Sequence, residues 1–168
     1  MPNKSNSQPL ALLAKTIAGK LIQKNATLMI AESATGGFIQ DVITSVSGSS
    51  AFFLGGVVAY ADELKQHLLQ VPARTLRREG AVSEATASAM ALGVRLLLNA
   101  DYGLATTGIA GPTGGTPEKP IGLVYIAVAH RSFETITRQH NFSGTRRENK
   151  INFSRAALQL LVHTIEHY

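Results

Sequence analysis

The sequence predicts an α/β fold: a single-domain three-layer sandwich, with helices flanking a mostly parallel or mixed sheet. Three observations point there. Apolar runs of strand length alternate with amphipathic segments of helical period along the chain. The 168 residues, 45% of them apolar, suit one domain with a substantial core. No internal repeat, low-complexity tract or internal linker divides them. Residues 1–8 read as a polar, disordered leader and residues 9–168 as the domain.

The elements follow in order. Leu10, Leu13, Ile17 and Leu21 recur at helical spacing, predicting a helix from about Pro9 to Lys24. Thr27 to Ala31 reads as a buried strand ending in Glu32-Ser33-Ala34-Thr35-Gly36-Gly37, after which Phe38 to Thr44 forms a short helix. Ser45 to Ser50 is a polar turn, and Phe52 to Tyr60 is strand-like around Gly55-Gly56. Asp62 is placed to N-cap a helix through Leu69, and Pro72 then interrupts the chain. Ser83 caps a long helix with Ala87, Met90, Ala91, Val94 and Leu98 on its buried side. Tyr102–Ile109 and Ile121–Ala129 read as strands, Phe133–Phe142 as a more exposed one. A last helix starts near Thr145, with Ile151, Ser154, Leu158, Leu161 and Ile165 as its inner stripe.

Composition removes several function classes. With no cysteine there is no disulfide, thiolate metal site or cysteine nucleophile. No apolar stretch is long enough to cross a membrane, and the polar start lacks a secretory signal, so a cytoplasmic enzyme is compatible. The net charge of +5 admits nucleic acid, an anionic surface or a small phosphorylated ligand. The basic residues are scattered apart from Arg74, Arg77 and Arg78 and the group Arg146, Arg147 and Lys150, and Arg77 and Arg78 read as solvated surface. No basic stripe is interleaved with aromatics, which weakens the case for nucleic acid. His163-Thr164-Ile165-Glu166-His167 has a zinc-like spacing, but at a fraying end with no third ligand after it, so no metal is expected. Glu118-Lys119 reads as a salt-bridged loop pair, and no carboxylates are paired tightly enough for glycoside hydrolysis or two metals.

Three segments carry candidate chemistry. The loop from Gly108 through Gly111 to Pro120 is rich in Gly and Pro and longer than an ordinary strand connection, which marks a site loop. The Ser33–Gly37 turn, a strand end passing into a helix start, suits either an anion held on backbone N–H groups or a helix cap, with nothing local to choose between them. Ser50 and Lys65 flank the Phe52–Tyr60 run, and a serine next to a neutral lysine can act as a nucleophile. On the residues alone, a turn serine and a surface lysine are the better reading of that pair.

Taken in order, Ala31-Glu32-Ser33-Ala34-Thr35-Gly36-Gly37, Gly55-Gly56-Val57-Val58-Ala59-Tyr60, Gly80-Ala81-Val82-Ser83, Thr107-Gly108-Ile109-Ala110-Gly111-Pro112, Gly114 to Gly122 and Phe142-Ser143-Gly144 resemble one family. It is that of the nicotinamide mononucleotide deamidases, also known as the C-terminal domain of competence/damage-inducible protein A. The resemblance covers nearly all of the chain after the leader. It implies an amidohydrolase converting nicotinamide mononucleotide and water to nicotinate mononucleotide and ammonia, without metal or organic cofactor, in a homodimer. By resemblance Ser50 is the nucleophile, Lys65 its base and Tyr60 their neighbour, while Thr107 and Arg146 match pocket residues. Arg146 with Thr35, Gly36 and Gly37 would meet the substrate phosphate; Ser33, Gly108 and Gly111 complete the expected substrate-binding set. The chain departs from the family where Ala34 replaces a frequent cysteine, and where Tyr60-Ala61-Asp62-Glu63-Leu64-Lys65 replaces Tyr-Ser-Asn-Glu-Ala-Lys. The alternative reading is a non-catalytic nucleotide-binding homologue.

Overall fold

The computed structural model describes residues 8–168. The leader expected over residues 1–8 lies, except for Gln8, outside the described residues. The elements are α1 (Leu10–Lys24), β1 (Leu28–Glu32), α2 (Phe38–Thr44), a 3-10 turn (Ser49–Ala51), β2 (Phe53–Val58), α3 (Asp62–His67), α4 (Ala73–Glu79), α5 (Glu84–Leu97), β3 (Tyr102–Gly108), β4 (Leu123–His130), β5 (Ile136–Asn141) and α6 (Arg146–His167). The sheet has the order β2-β1-β3-β4-β5. β1, β2 and β3 run parallel, β4 is antiparallel to β3, and β5 is antiparallel to β4, so the sheet is mixed.

The two faces of the sheet differ in side-chain size, and this sets the layers. Leu28 and Ile30, Leu104, and Val124, Ile126 and Val128 fill the face covered by α1, α2 and α6. The opposite face carries Met29, Ala31, Ala105, Ala127 and Ala129 against Ala87, Met90, Ala91 and Val94 of α5. Small residues there let α5 lie close. A Cβ on Gly103 would stand 2.2 Å from the Ala91 carbonyl oxygen, and one on Gly93 1.9 Å from that of Leu69. Burial on both faces explains why β1 and β3 read as unbroken apolar runs.

Helix starts follow the sequence reading in two places. Ser83 accepts the Thr86 amide at the start of α5. Thr145 and Glu148 form a reciprocal capping box on α6. Pro72 interrupts the chain between α3 and α4 and holds the cap position of α4. Two expectations need correction. Asp62 is the first residue of α3 rather than its cap: Ala61 holds the cap position, and the Asp62 carboxylate turns to Lys65 one turn on. Leu98 lies past the end of α5 and is 60% exposed.

One carboxylate ties the amino ends of β1 and β3 together. Asp101 Oδ2 accepts the Thr27 amide and hydroxyl, each at 2.8 Å, while Oδ1 meets Arg131 at 2.7 Å. Burial pushes the Asp101 pKa up, but the Thr27 hydrogen bonds, with the nearby Arg131 and His130 charges, outweigh it and hold the carboxyl below its ordinary value. A depressed folded-state pKa adds stability that is complete above the unfolded value near 3.9 and is lost as pH falls through the lower folded value. Asp101→Asn is therefore expected to lower unfolding free energy by about 1–2 kcal/mol at pH 7. In urea titrations the gap to the parent protein should narrow as pH drops below about 4.

Candidate active site

Because β1, β2 and β3 run the same way, their carboxyl ends share one edge of the sheet. The chain leaves β1 through α2 on one face and reaches β3 through α5 on the other, so the order reverses at β1 and a crevice opens there. A cavity of about 350 Å³ occupies it. Ser33 and Ala34 line it from the end of β1, Tyr60, Asp62 and Lys65 from beyond β2, Thr107 and Gly108 from the end of β3, Gly111 from beyond it, and Arg146 from the start of α6.

Lys65 is not a surface residue: its side chain is 1% exposed. Its Nζ donates to the Tyr60 carbonyl at 3.1 Å and to Asp62 Oδ1 at 3.3 Å. Ala59 and Leu69, which flank α3 in the chain, are buried in the cluster on the α5 side of the sheet. Tyr60 is open to solvent, but its hydroxyl accepts from Arg146 Nη2 at 2.8 Å. Arg146 Nη1 donates to the Gly111 carbonyl at 2.7 Å, so one guanidinium joins the segments after β2 and β3 to α6. Thr107 donates its hydroxyl to the Ala81 carbonyl at 2.7 Å, which holds the Ala81-Val82 wall of the cavity. Lys119 does not pair with Glu118; its Nζ donates to the Glu79 carbonyl and ties the Gly/Pro loop to α4.

The Ser33–Gly37 turn settles the choice between cap and anion site. Glu32, fully buried, accepts the Gly37 amide (3.0 Å) and the Ile39 amide (3.1 Å) on Oε2, and the Gln40 amide (2.9 Å) on Oε1. The anion at the start of α2 is thus the protein's own. The Thr35 hydroxyl bonds that of Thr106 at 2.9 Å, inside the fold, so Thr35, Gly36 and Gly37 do not line the cavity. Sequence reading passed over Glu32; its signal was a carboxylate at a strand end, a few residues before a helix with no Ser, Thr, Asn or Asp cap.

Ser50 and Lys65 are not brought together within the chain. Ser50 is exposed in the 3-10 turn before β2, whereas Lys65 follows β2, and the strand between them spans roughly 17 Å. The strand carries the chain from one end of the sheet to the other instead of returning it. Ser33 is the serine at the lysine's end. It is nine-tenths buried, it lines the cavity, and no group among the described residues hydrogen-bonds its hydroxyl. The Ala34 amide that follows it likewise has no acceptor among the described residues.

A larger polar recess, about 780 Å³, lies over β4 and β5 beside α4 and α5, with Arg78, Glu84, Lys119 and Gln139 in its walls. Of its lining residues, Ser83 caps α5 and Lys119 holds the Glu79 carbonyl. Among the described residues no group of three His, Asp or Glu side chains could hold a metal, and the His167 ring bonds the His163 carbonyl at 2.8 Å.

The fold and cavity define a class: an α/β domain with a Ser- and Lys-lined cleft at the carboxyl edge of parallel strands. Comparison with known proteins gives the family. The model of the CinA C-terminal domain matches residues 10–165, and the chain belongs to that family. A CinA-like protein of Syntrophus aciditrophicus is 51% identical over 150 residues, 89% of this chain and 36% of that one. A CinA-like protein of Thermosynechococcus vestitus is 48% identical over 141 residues, 84% of this chain and 34% of its own. The chain therefore spans about a third of the length of these curated relatives. Among solved structures, a CinA superfamily protein from Klebsiella pneumoniae superposes with a TM-score of 0.91 at 34% identity, covering 96% of this chain and all of that one. The competence/damage inducible protein CihA from Agrobacterium tumefaciens gives 0.91 at 35% identity, covering 94% and 96%.

Glu32→Ala would leave three amides of α2 without their acceptor in a buried place. It is expected to cost about 2–4 kcal/mol in chemical denaturation.

Proposed function

We propose that the chain is an amidohydrolase acting on nicotinamide mononucleotide, with Ser33 as nucleophile and Lys65 as proton carrier. The observation that carries this reading is the shared cavity: a serine with an unengaged hydroxyl and a buried lysine line one crevice. Ser33 Oγ attacks the carboxamide carbon while its proton passes to Lys65 Nζ, which acts as a base only in its neutral form. The C–N bond of the tetrahedral intermediate breaks, Lys65 returns the proton to the departing nitrogen, and ammonia leaves an ester on Ser33. Water then attacks the ester carbon, giving the carboxylate and the free serine. The Ala34 amide, one residue past the nucleophile, is suited to the developing oxyanion. Tyr60 and Arg146 form a fixed pair at the mouth and orient the substrate. No step calls for a metal or organic cofactor.

A second reading, a nucleotide-binding homologue without turnover, has one observation in its favour. The Asp62 carboxylate, where the resembling family often has asparagine, stands 3.3 Å from Lys65 Nζ, and an anion there favours the charged ammonium over the neutral base. The homodimer implied by the resemblance belongs to this proposal too.

Ammonia release from nicotinamide mononucleotide separates these readings. Ser33→Ala and Lys65→Ala should each lower kcat by at least about a thousandfold with the fold intact, and Ser50→Ala should stay within a fewfold of the parent. Loss of activity in Ser50→Ala with Ser33→Ala active would transfer the nucleophile to Ser50. Saturable binding without ammonia from the parent protein would establish the non-catalytic reading.

A further inference from the structure

Two residues at the start of α6 hold two consecutive carbonyls of the Gly/Pro loop. Arg146 Nη1 donates to the Gly111 carbonyl at 2.7 Å. Asn149, three residues on and so on the same helix face, donates through Nδ2 to the Ala110 carbonyl at 3.1 Å. The other Nδ2 hydrogen goes to the Gly144 carbonyl at 3.0 Å, just before the capping box. In an extended chain the two loop carbonyls would point to opposite sides; Gly111, at a φ of 86°, lets both turn to one helix. Asn149 is fully buried, and its Oδ1 has no hydrogen-bond partner among the described residues. An amide with an idle oxygen is a poor choice for packing alone, because a buried acceptor without a donor costs stability. What the amide adds is its two donors, and they fix where the loop lies. A trans peptide sets the Gly111 N–H opposite to the Ala110 C=O, so the bond from Asn149 turns that N–H away from its own side chain. Ala110 and Gly111 line the crevice that holds Ser33 and Lys65, and the Gly111 amide has no acceptor among the described residues.

We propose that Asn149 is a positioning residue for the amidase reaction, holding the Ala110–Gly111 peptide so that the Gly111 N–H serves the carboxamide oxygen. The inference rests on the amidohydrolase reading and adds a donor from the loop to the Ala34 amide of the serine turn. As Ser33 Oγ bonds to the carboxamide carbon, the electron pair of the C=O bond moves to oxygen, and a donor already in place gains most at that moment. An N–H on a segment whose two carbonyls are both held does not have to reorganise as the charge develops. Asn149 itself lies behind the loop, outside the lining of the crevice, so its effect falls on the chemical step rather than on ground-state binding. Arg146 holds the same loop but also lines the crevice, so removing it would mix positioning with contact.

The test is steady-state ammonia release from nicotinamide mononucleotide by Asn149→Leu and Asn149→Ala, with circular dichroism to select the variant that folds. Ser154→Ala is the control: Ser154 is buried on the same helix, but its hydroxyl donates to the Lys150 carbonyl within α6 rather than to the loop. The Asn149 variants should lower kcat about a hundredfold with KM within about threefold of the parent. Asn149→Gln, which returns amide donors, should recover part of kcat at the same KM, and Ser154→Ala should keep the parent kcat. An unchanged kcat in a folded Asn149 variant, a loss carried by KM alone, or an equal fall in Ser154→Ala would overturn the positioning role and leave the amidase reading standing. No ammonia from the parent protein would remove the amidase reading first, and the positioning role with it.

Discussion

The carboxylate of Glu32 is the contact on which the site depends. It ends β1 in a fully buried position and accepts three amides from the start of α2, so the strand, turn and helix form one rigid corner. Closing that corner has two effects. The residues between, from Ser33 to Gly37, cannot swing outward, and the Thr35–Thr106 hydroxyl pair pins them to β3. Ser33 is left as the residue of the turn that combines a hydroxyl with access to the crevice. The same contact uses up the helix end that would otherwise attract a ligand phosphate.

Charge is then redistributed around the corner. Arg146, at the start of α6, reaches back over the crevice to Gly111 and Tyr60, joining three loops that are remote in sequence. The remaining cations of that helix turn, Arg147 and Lys150, face α2 without acidic partners among the described residues. A nucleophile corner and a cationic helix start thus lie on opposite sides of one guanidinium. On the other face of the sheet, the alanines and Gly103 bring α5 close, and Thr107 holds the Ala81-Val82 wall.

Much of the architecture was legible because it rests on periodicity. The Leu10–Leu21 spacing, the Ser83 cap, the helix start at Thr145 and the apolar runs of β1, β3 and β4 all appear as expected. The long Gly/Pro loop does line a cavity, through Gly111, Thr113 and Gly114. What escaped the sequence depends on direction in space. Ser50 and Lys65 frame a strand, and only the fold decides whether a strand returns the chain or carries it away; β2 carries it away. Lys65 and Asp62 were read by residue type as surface and cap, although a lysine stem can pack inward when its ammonium finds a carbonyl and a carboxylate. Glu32 escaped because an internal carboxylate cap spans five to eight residues, beyond the local capping patterns.

The identity of the nucleophile can be read directly from a trapped ester. Turnover of nicotinamide mononucleotide would be quenched in acid, the protein cleaved with trypsin, and the adduct located by fragmentation mass spectrometry. Ser33 and Ser50 fall on the same peptide, between Lys24 and Lys65, so fragment ions must separate them. An acyl adduct on Ser33 is the expected result and would fix the corner made by Glu32 as the catalytic one. An adduct on Ser50, or steady ammonia release with no adduct on either serine, would contradict it.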